Sequence, residues 1–490
     1  MIRLRDRVWQ RVCLFLLGGG AIGMVGLCAW PYTVDDAYIV ARYAVRIGRA
    51  EGYTFNPGPA TDGVTGPAWL LPGLAATWLG VDPVAAAKVC GLACAVAAVL
   101  WCVRERSRRA GGSLAGWVTA LIAACQPSLG GSGSSGLETG AAMLAVSVAM
   151  SAALAHPQPR PYTLGVALAG AAWLRPELAP LALALLALVS VRRGVLVALP
   201  AWLLALLGAA GVCAFRASIA GTIVPLSFHA KAGTWRDGWF YSMRALLVMT
   251  GLFGCGLAAS GAWLGQTRDR WRAGLLLVHA VSVALAGGDW MPGFRLFVPM
   301  FPQYAQLTAT GVVRLVQRGR TWRVVAGMGL CFACGVPLVD LATRLPEWRA
   351  AGESRDRVGR ELAERLRTES HRVALVDIGY LGYASGCEVV DLAGITDPEV
   401  AALRGGHLDK HVTSAWLRSR RPDTIVLHSS APPTAAEDGR LLALNGYPVE
   451  RRVARSEWIT REFRVLASYR YAPGYYYVVL RHAAAQAVTP

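Results

Sequence analysis

From about residue 11 to residue 343 the chain alternates apolar blocks of roughly 15 to 25 residues, built from Leu, Ala, Val and Gly, with short knots of arginine. A helix of about 20 apolar residues crosses the ~30 Å hydrocarbon layer of a bilayer, so each block predicts a spanning helix. Blocks near 11–30, 84–103, 112–127, 137–155, 162–174, 178–191, 194–216, 241–265, 273–287, 296–313 and 324–343 predict about eleven crossings. The apolar stretch 67–83 suffices only for a re-entrant or partial span. Beyond 343 the pattern changes. Charge density becomes ordinary, and alternating runs at Arg372–Asp377 and Asp423–His428 predict strands. The expected architecture is therefore a mainly α, polytopic membrane module at 1–343, with its first outer loop at 31–66, followed by a soluble extracytoplasmic α/β domain at 344–490.

Composition sharpens this picture. The chain is 54% apolar and 16% charged, whereas a soluble globular domain carries about a quarter charged residues. Its net charge of +18 is dispersed as knots between apolar blocks. That distribution excludes the continuous basic stripe of a nucleic-acid binder. The knots Arg3 to Arg11, Arg104 to Arg109, Arg192-Arg193, Arg268 to Arg272 and Arg314 to Arg323 read as cytoplasmic helix ends. The N-terminus is then cytoplasmic, and the first span stays uncleaved because no small-residue cleavage site precedes Asp35. Of eleven cysteines only Cys387 lies outside the expected spans, so no disulfide framework is implied. Cys331 and Cys334 form a C-x-x-C inside an apolar helix, where small-residue packing explains them.

With this topology, separated polar clusters fall on the non-cytoplasmic face, and charged groups at membrane depth are rare unless they line a cavity. Asp35-Asp36 follows the first span; adjacent carboxylates repel, which suits a catalytic base or a divalent cation, Mg²⁺ or Ca²⁺. A helix starting at Asp36 would lay Ile39, Tyr43 and Ile47 into the interface and turn Arg42, Arg46 and Arg49 to headgroups. A plain acidic helix start is the simpler reading. The loop Glu51–Pro67, with Asn56 in Phe-Asn-Pro-Gly, is rich in turn residues and aromatics and suits a binding rim or a connector. Gly130–Gly136 reads as flexible, ahead of Glu138 at a helix start. In Arg175-Pro176-Glu177 the proline breaks the helix and the arginine offers a fork for phosphate. His229 and Lys231 present two cations two residues apart, fit for a lipid phosphate or a headgroup. Asp289-Trp290 and Arg295 join two spans. No phosphate loop or H-E-x-x-H occurs, which leaves ATP-driven chemistry without support.

In order, D-D-A-Y-I, F-N-P-G, G-L-E-T, R-P-E, P-x-x-F-x-A-K, G-G-D-x-M-P-x-x-R and a C-terminal G-Y-L-G-Y-A-S-G…V-V-D-L-A-G-I-T-D-P run from about 31 to 411. This series resembles the bacterial GT-C glycosyltransferases similar to the mycobacterial terminal β-(1→2)-arabinofuranosyltransferase. The resemblance implies a multi-helix membrane module with a periplasmic C-terminal domain, in the bacterial inner membrane, and a polyprenyl-phosphate sugar as donor. It implies Asp35 and Asp36 as catalytic acids. Arg175, His229, Lys231 and Arg295 become donor-phosphate contacts, and Tyr38, Arg42, Asn56, Glu138, Glu177 and Asp289 cavity residues. One departure is Gly63-Val-Thr65-Gly66-Pro67, where the family pattern has a G-Y-T-N-like sequence; it puts sugar or acceptor identity in question. The activity expected is transfer of a sugar, arabinofuranose before mannose or another hexose, to an extracytoplasmic glycan, glycolipid or protein. A transporter or flippase and a wall-binding scaffold are the alternatives; a transporter would show internal repeats and helices broken at midplane.

Overall fold

The structure, a computed structural model, describes residues 9–10, 12–108, 112–230, 234–289 and 291–486. Lys231, Gly233, Trp290, the arginines Arg3, Arg5, Arg7 and Arg11, and Arg109 lie outside these. The membrane module runs through α1 (Val12–Cys28), α2 (Asp35–Gly48), α3 (Leu70–Trp78), α4 (Pro83–Ser107), α5 (Gly112–Ala124), α6 (Pro127–Gly133) and α7 (Thr139–Ala153). It continues with α8 (Pro161–Leu174), α9 (Ala179–Arg193), α10 (Val195–Ala220), α11 (Leu226–Ala230), α12 (Trp235–Leu264), α13 (Thr267–Leu285), α14 (Phe301–Val316) and α15 (Arg320–Glu369).

Among the described residues four helices, α4, α10, α12 and α15, are long and apolar enough to cross a membrane; α1, Leu114–Ala124, α7 and α8 are shorter apolar helices. The expected count of about eleven crossings exceeds these four long helices. Helix α3, nine residues behind a 3₁₀ turn at Pro67–Trp69, is too short to span, as the stretch 67–83 suggested. No break marks residue 343, because α15 continues through Pro337 and Pro346 to Glu369.

Glycine decides several helix contacts. The stretch 127–133 is a buried helix and not a flexible loop: a Cβ at Gly131 would overlap Trp348, and one at Gly130 would sit 2.6 Å from the Ile22 carbonyl. Gly261 of α12 and Gly311 of α14 likewise let the two backbones meet, since a Cβ on either would strike the other helix's main chain.

The C-terminal unit is a five-stranded mixed sheet in the order β2-β1-β3-β7-β6. Strands β1 (Arg372–Leu375), β2 (Glu388–Asp391) and β3 (Thr424–Ser429) are parallel, while β6 (Phe463–Ala472) and β7 (Tyr475–His482) form an antiparallel hairpin against β3. A small hairpin of β4 (Thr434–Ala435) and β5 (Leu441–Ala443) stands apart. The core under the sheet is not made by this unit alone. Ile39, Tyr43 and Ala44 of α2, with Phe55 and Val64 of the first outer loop, are buried in one cluster with Val373, Leu375, Val389 and Ile425. The apolar stripe of α2 therefore faces protein, which corrects the expectation that it rests in the lipid interface.

Candidate active site

Helix α2 begins at the site. Asp35 and Asp36 occupy its first turn, and neighbours on a helix point about 100° apart. The two carboxylates accordingly separate. Asp35 turns to the C-terminal domain, where its Oδ2 accepts the Gly379 N–H at 2.9 Å and its Oδ1 the Tyr380 N–H at 2.8 Å. Burial, followed by the nearby Asp377 carboxylate, pushes its pKa up to about 7. Gly379 is obligatory in this contact, because a Cβ there would overlap the Asp35 carboxylate and carbonyl.

Asp36 lines a cavity together with Glu138, Arg175, Glu177, Arg295, Thr65, Ser227 and Ile395. Arg175, only 2% exposed, sits where α8 gives way to the 3₁₀ turn Pro176–Leu178. Its Nε lies 2.8 Å from Glu138, its Nη2 donates to Thr139 Oγ1 at 2.8 Å, and its Nη1 is 3.4 Å from Glu177. Arg295 donates to Asp289; burial is the largest single effect and lowers its pKa, but Asp289, Asp36 and Glu138 together outweigh it and hold the group above its ordinary value. Asp36 and Arg295 also bear on Tyr32, whose hydroxyl burial pushes up to about 12. The buried guanidinium of Arg175, the half-buried one of Arg295 and the carboxylates of Asp36, Glu138 and Glu177 thus bound one hollow. The mouth is shaped by Gly63 and Gly66; a Cβ at Gly66 would strike the Leu174 carbonyl.

Other expected cavity residues do different work. Arg42 is buried, not turned to headgroups: it donates from Nε to the Phe55 carbonyl at 2.7 Å, from Nη2 to the Cys387 carbonyl at 2.8 Å, and from Nη1 to the Gly382 carbonyl. Its guanidinium lies 4.4 Å from the Phe55 ring centroid. Asn56 pairs with the main chain of Val389, donating to its carbonyl at 2.7 Å and accepting its N–H at 2.9 Å. Tyr38 packs against Tyr380 and Tyr383, at 5.0 and 5.7 Å between centroids. All three lock the first outer loop to the C-terminal domain. His229 is exposed and absent from the cavity wall, where Ser227 of the same helix stands instead. Lys231 lies outside the described residues. Among those residues no group of three or more His, Cys, Asp or Glu side chains is placed to hold a metal ion, and Asp35 spends both oxygens on backbone N–H groups.

Several positioning residues have no local signal in the sequence. Arg216, near the end of α10, pairs with buried Asp62 and donates to the Thr65 carbonyl at 2.6 Å, fixing the loop that carries Thr65 into the cavity. Thr65 in turn meets the Ser227 hydroxyl at 2.8 Å. Lys88 of α4 donates to the Tyr32 carbonyl at 2.9 Å, to Thr33 Oγ1 at 3.0 Å and to the Trp30 carbonyl, tying down the approach to Asp35. In the C-terminal motif, Asp391 is a scaffold: it accepts the N–H groups of Ala393, Gly394 and Thr396, and the loop so formed presents Ile395 to the cavity.

This fold recurs over nearly the whole chain in known structures. A crystal structure of ArnT from Cupriavidus metallidurans in the apo state matches with a TM-score of 0.62 at 13% identity, covering 98% of this chain and 99% of that one. ArnT from the same organism bound to undecaprenyl phosphate matches with a TM-score of 0.62 at 12% identity, over 96% of this chain and 97% of that one. The chain has the fold of ArnT. At such identity the likeness is one of fold alone, and it carries no information on arabinofuranose. A family described as a domain of unknown function, DUF8728, matches residues 346–480, the end of α15 and most of the sheet domain. No curated protein matches.

Proposed function

We propose that the chain is a polyprenyl-phosphate-sugar-dependent glycosyltransferase of the GT-C type, with Asp36 as base and Arg175 and Arg295 as the donor-phosphate contacts. The observation that carries this reading is the single hollow in which Asp36, Arg175 and Arg295 converge from α2, the α8–α9 turn and the α13–α14 loop. A lipid-phosphate donor needs no nucleotide pocket. Its phosphate is the leaving group, and fixed cations in a water-poor site stabilise charge that builds there more effectively than water does. Asp36 takes the proton of the attacking hydroxyl, a contribution of about 10²–10⁴ in rate. Asp35 serves as the tether that aims Asp36. The ArnT fold and the undecaprenyl phosphate in one ArnT crystal support a polyprenyl carrier. Arabinofuranose is the sugar proposed first, a hexose second, with an extracytoplasmic glycan, glycolipid or protein as acceptor. The membrane module is placed in the bacterial inner membrane with its N-terminus cytoplasmic and the sheet domain outside.

The test is transfer from synthetic polyprenyl-phosphate sugars by the purified full chain. Asp36→Asn is expected to lower kcat by at least a hundredfold while leaving polyprenyl-phosphate binding within twofold. Full activity in Asp36→Asn would overturn the assignment of the base, and absence of donor cleavage by the wild-type chain would overturn the activity.

A further inference from the structure

Arg295 reaches the hollow from residues 291–297, which form neither helix nor strand. Just before it, Phe294 is one of three residues other than glycine with positive φ among the described residues, at +53°. A bulky side chain rarely adopts this conformation, and keeps it only where the surroundings impose it. Two helices flank it here. Tyr241 of α12 lies with its ring 5.6 Å from that of Phe294 and 6.0 Å from that of Phe297, and so close to Gly288 that a Cβ there would overlap it. Its hydroxyl accepts the Leu296 N–H at 3.4 Å. His279 of α13 takes the other end of the same residue. Its Nε2 lies 2.7 Å from the Leu296 carbonyl oxygen, which can only accept, so Nε2 carries the proton and donates.

We infer that His279 is a positioning residue of the donor site: with Tyr241 it clamps the backbone of Leu296 and thereby aims Arg295 at the donor phosphate. The inference rests on the transferase reading above and adds a residue that does not border the hollow. His279 is 1% exposed, and its Nδ1 makes no hydrogen bond. An apolar side chain would fill that place without leaving a buried nitrogen unpaired, so packing alone does not explain an imidazole there; the bond to Leu296 does. Arg295 needs such a clamp because its own ion pair does not anchor it. Its guanidinium pairs with Asp289 of the same α13–α14 connection, so the two can shift as a body without parting. The polar contacts that tie the main chain of Arg295 and Leu296 to other elements are those of His279, Tyr241 and Arg175, whose Nη1 is 3.5 Å from the Arg295 carbonyl oxygen. His279 itself borders a separate apolar hollow with Phe297, Met300 and Phe301, and so acts through Arg295 without touching a reacting atom.

Binding and amide exchange separate positioning from general support. The full chain in nanodiscs is titrated with polyprenyl phosphate, and exchange is followed over residues 293–297. His279→Phe keeps the ring and removes the donor. His279→Gln restores an N–H at the reach of Nε2, whereas the amide of His279→Asn reaches only as far as Nδ1. The Phe and Asn variants are expected to bind polyprenyl phosphate about tenfold more weakly and to exchange the Leu296 amide faster by a similar factor, with the Gln variant within about threefold of wild type. In the Arg295→Gln background, His279→Phe should weaken binding by less than about twofold more, since a residue acting through Arg295 has nothing left to aim. Wild-type binding or exchange in His279→Phe, equal losses in the Asn and Gln variants, or a second tenfold loss on top of Arg295→Gln would overturn the inference. Failure of the transferase reading shows elsewhere, in a wild-type chain that cleaves no donor, while the exchange of Leu296 still reports on the clamp.

Discussion

Arg42 offers the sharpest separation between a lipid-facing and a domain-locking first outer loop. Its side chain donates to three main-chain carbonyls, those of Phe55, Gly382 and Cys387, the last two about 340 residues away in sequence. Hydrogen bonds from a charged donor contribute about 1.5–3 kcal/mol each, and carbonyls left buried without a partner cost about as much. Allowing for non-additivity and some water access at the partly exposed Asn56 edge, Arg42→Met is expected to destabilise the docked domain by about 3–5 kcal/mol. For a unit of this size that is a fall of about 10–20 °C in the melting midpoint. Arg42→Lys keeps the charge but lacks the fork, and should recover less than half of the loss. The assay is thermal unfolding of the purified full chain, with hydrogen exchange reporting whether residues 372–391 loosen first. A headgroup-facing arginine would change stability by less than about 0.5 kcal/mol on this substitution. A midpoint shift below about 2 °C in Arg42→Met, with exchange in 372–391 unchanged, would refute the reasoning.

Other consequences follow from single positions. Gly379→Ala places a methyl against the Asp35 carboxylate and should lower both stability and turnover, whereas Gly386→Ala, where a Cβ meets nothing within 4 Å but φ is +70°, should cost only about 1 kcal/mol and spare turnover. Gly131→Ala overlaps Trp348 and should lower the melting midpoint by several degrees; Gly23→Ala, open on all sides, should be neutral or slightly stabilising by the same measurement. Glu450, raised by burial to a pKa of about 8 from 4.5, keeps a proton in the folded domain that the unfolded chain has released. Its contribution therefore falls as pH rises from about 4.5 to 8, by up to about 1.4 kcal/mol per pH unit. Melting curves across that range should show Glu450→Gln gaining on the wild type as pH increases; neighbouring His428, pushed down by burial, contributes in the opposite sense. A pH-independent difference between the two proteins would remove this assignment.

Much of the architecture was legible because hydropathy and charge act locally. Apolar blocks and arginine knots mark the helices, and alternating runs mark β1 and β3. Helix ends were less legible: the block 324–343 read as a crossing that stops there, yet α15 runs on to Glu369. The site was legible only in part. Asp36, Glu138, Arg175, Glu177 and Arg295 do border one hollow, but the sequence places Asp35 and Asp36 side by side without saying that a helix sends them to different domains. Arg42 and Asn56 read as cavity residues because their partners are main-chain atoms of Gly382, Cys387 and Val389, which no side-chain pattern reveals. Arg216 and Asp62 lie 154 positions apart, so their pairing has no local trace. The glycines of 130–133 read as flexible because composition does not distinguish a loose loop from a helix pressed against Ile22 and Trp348.

A density map of the full chain in nanodiscs with polyprenyl phosphate tests the convergence of these residues most directly. The phosphate should lie between the guanidinium groups of Arg175 and Arg295, on the side of the hollow that faces Asp36, and Arg295→Gln should abolish that density. Phosphate seated away from both arginines, or unaffected by the substitution, would contradict the reading of this hollow as a donor site.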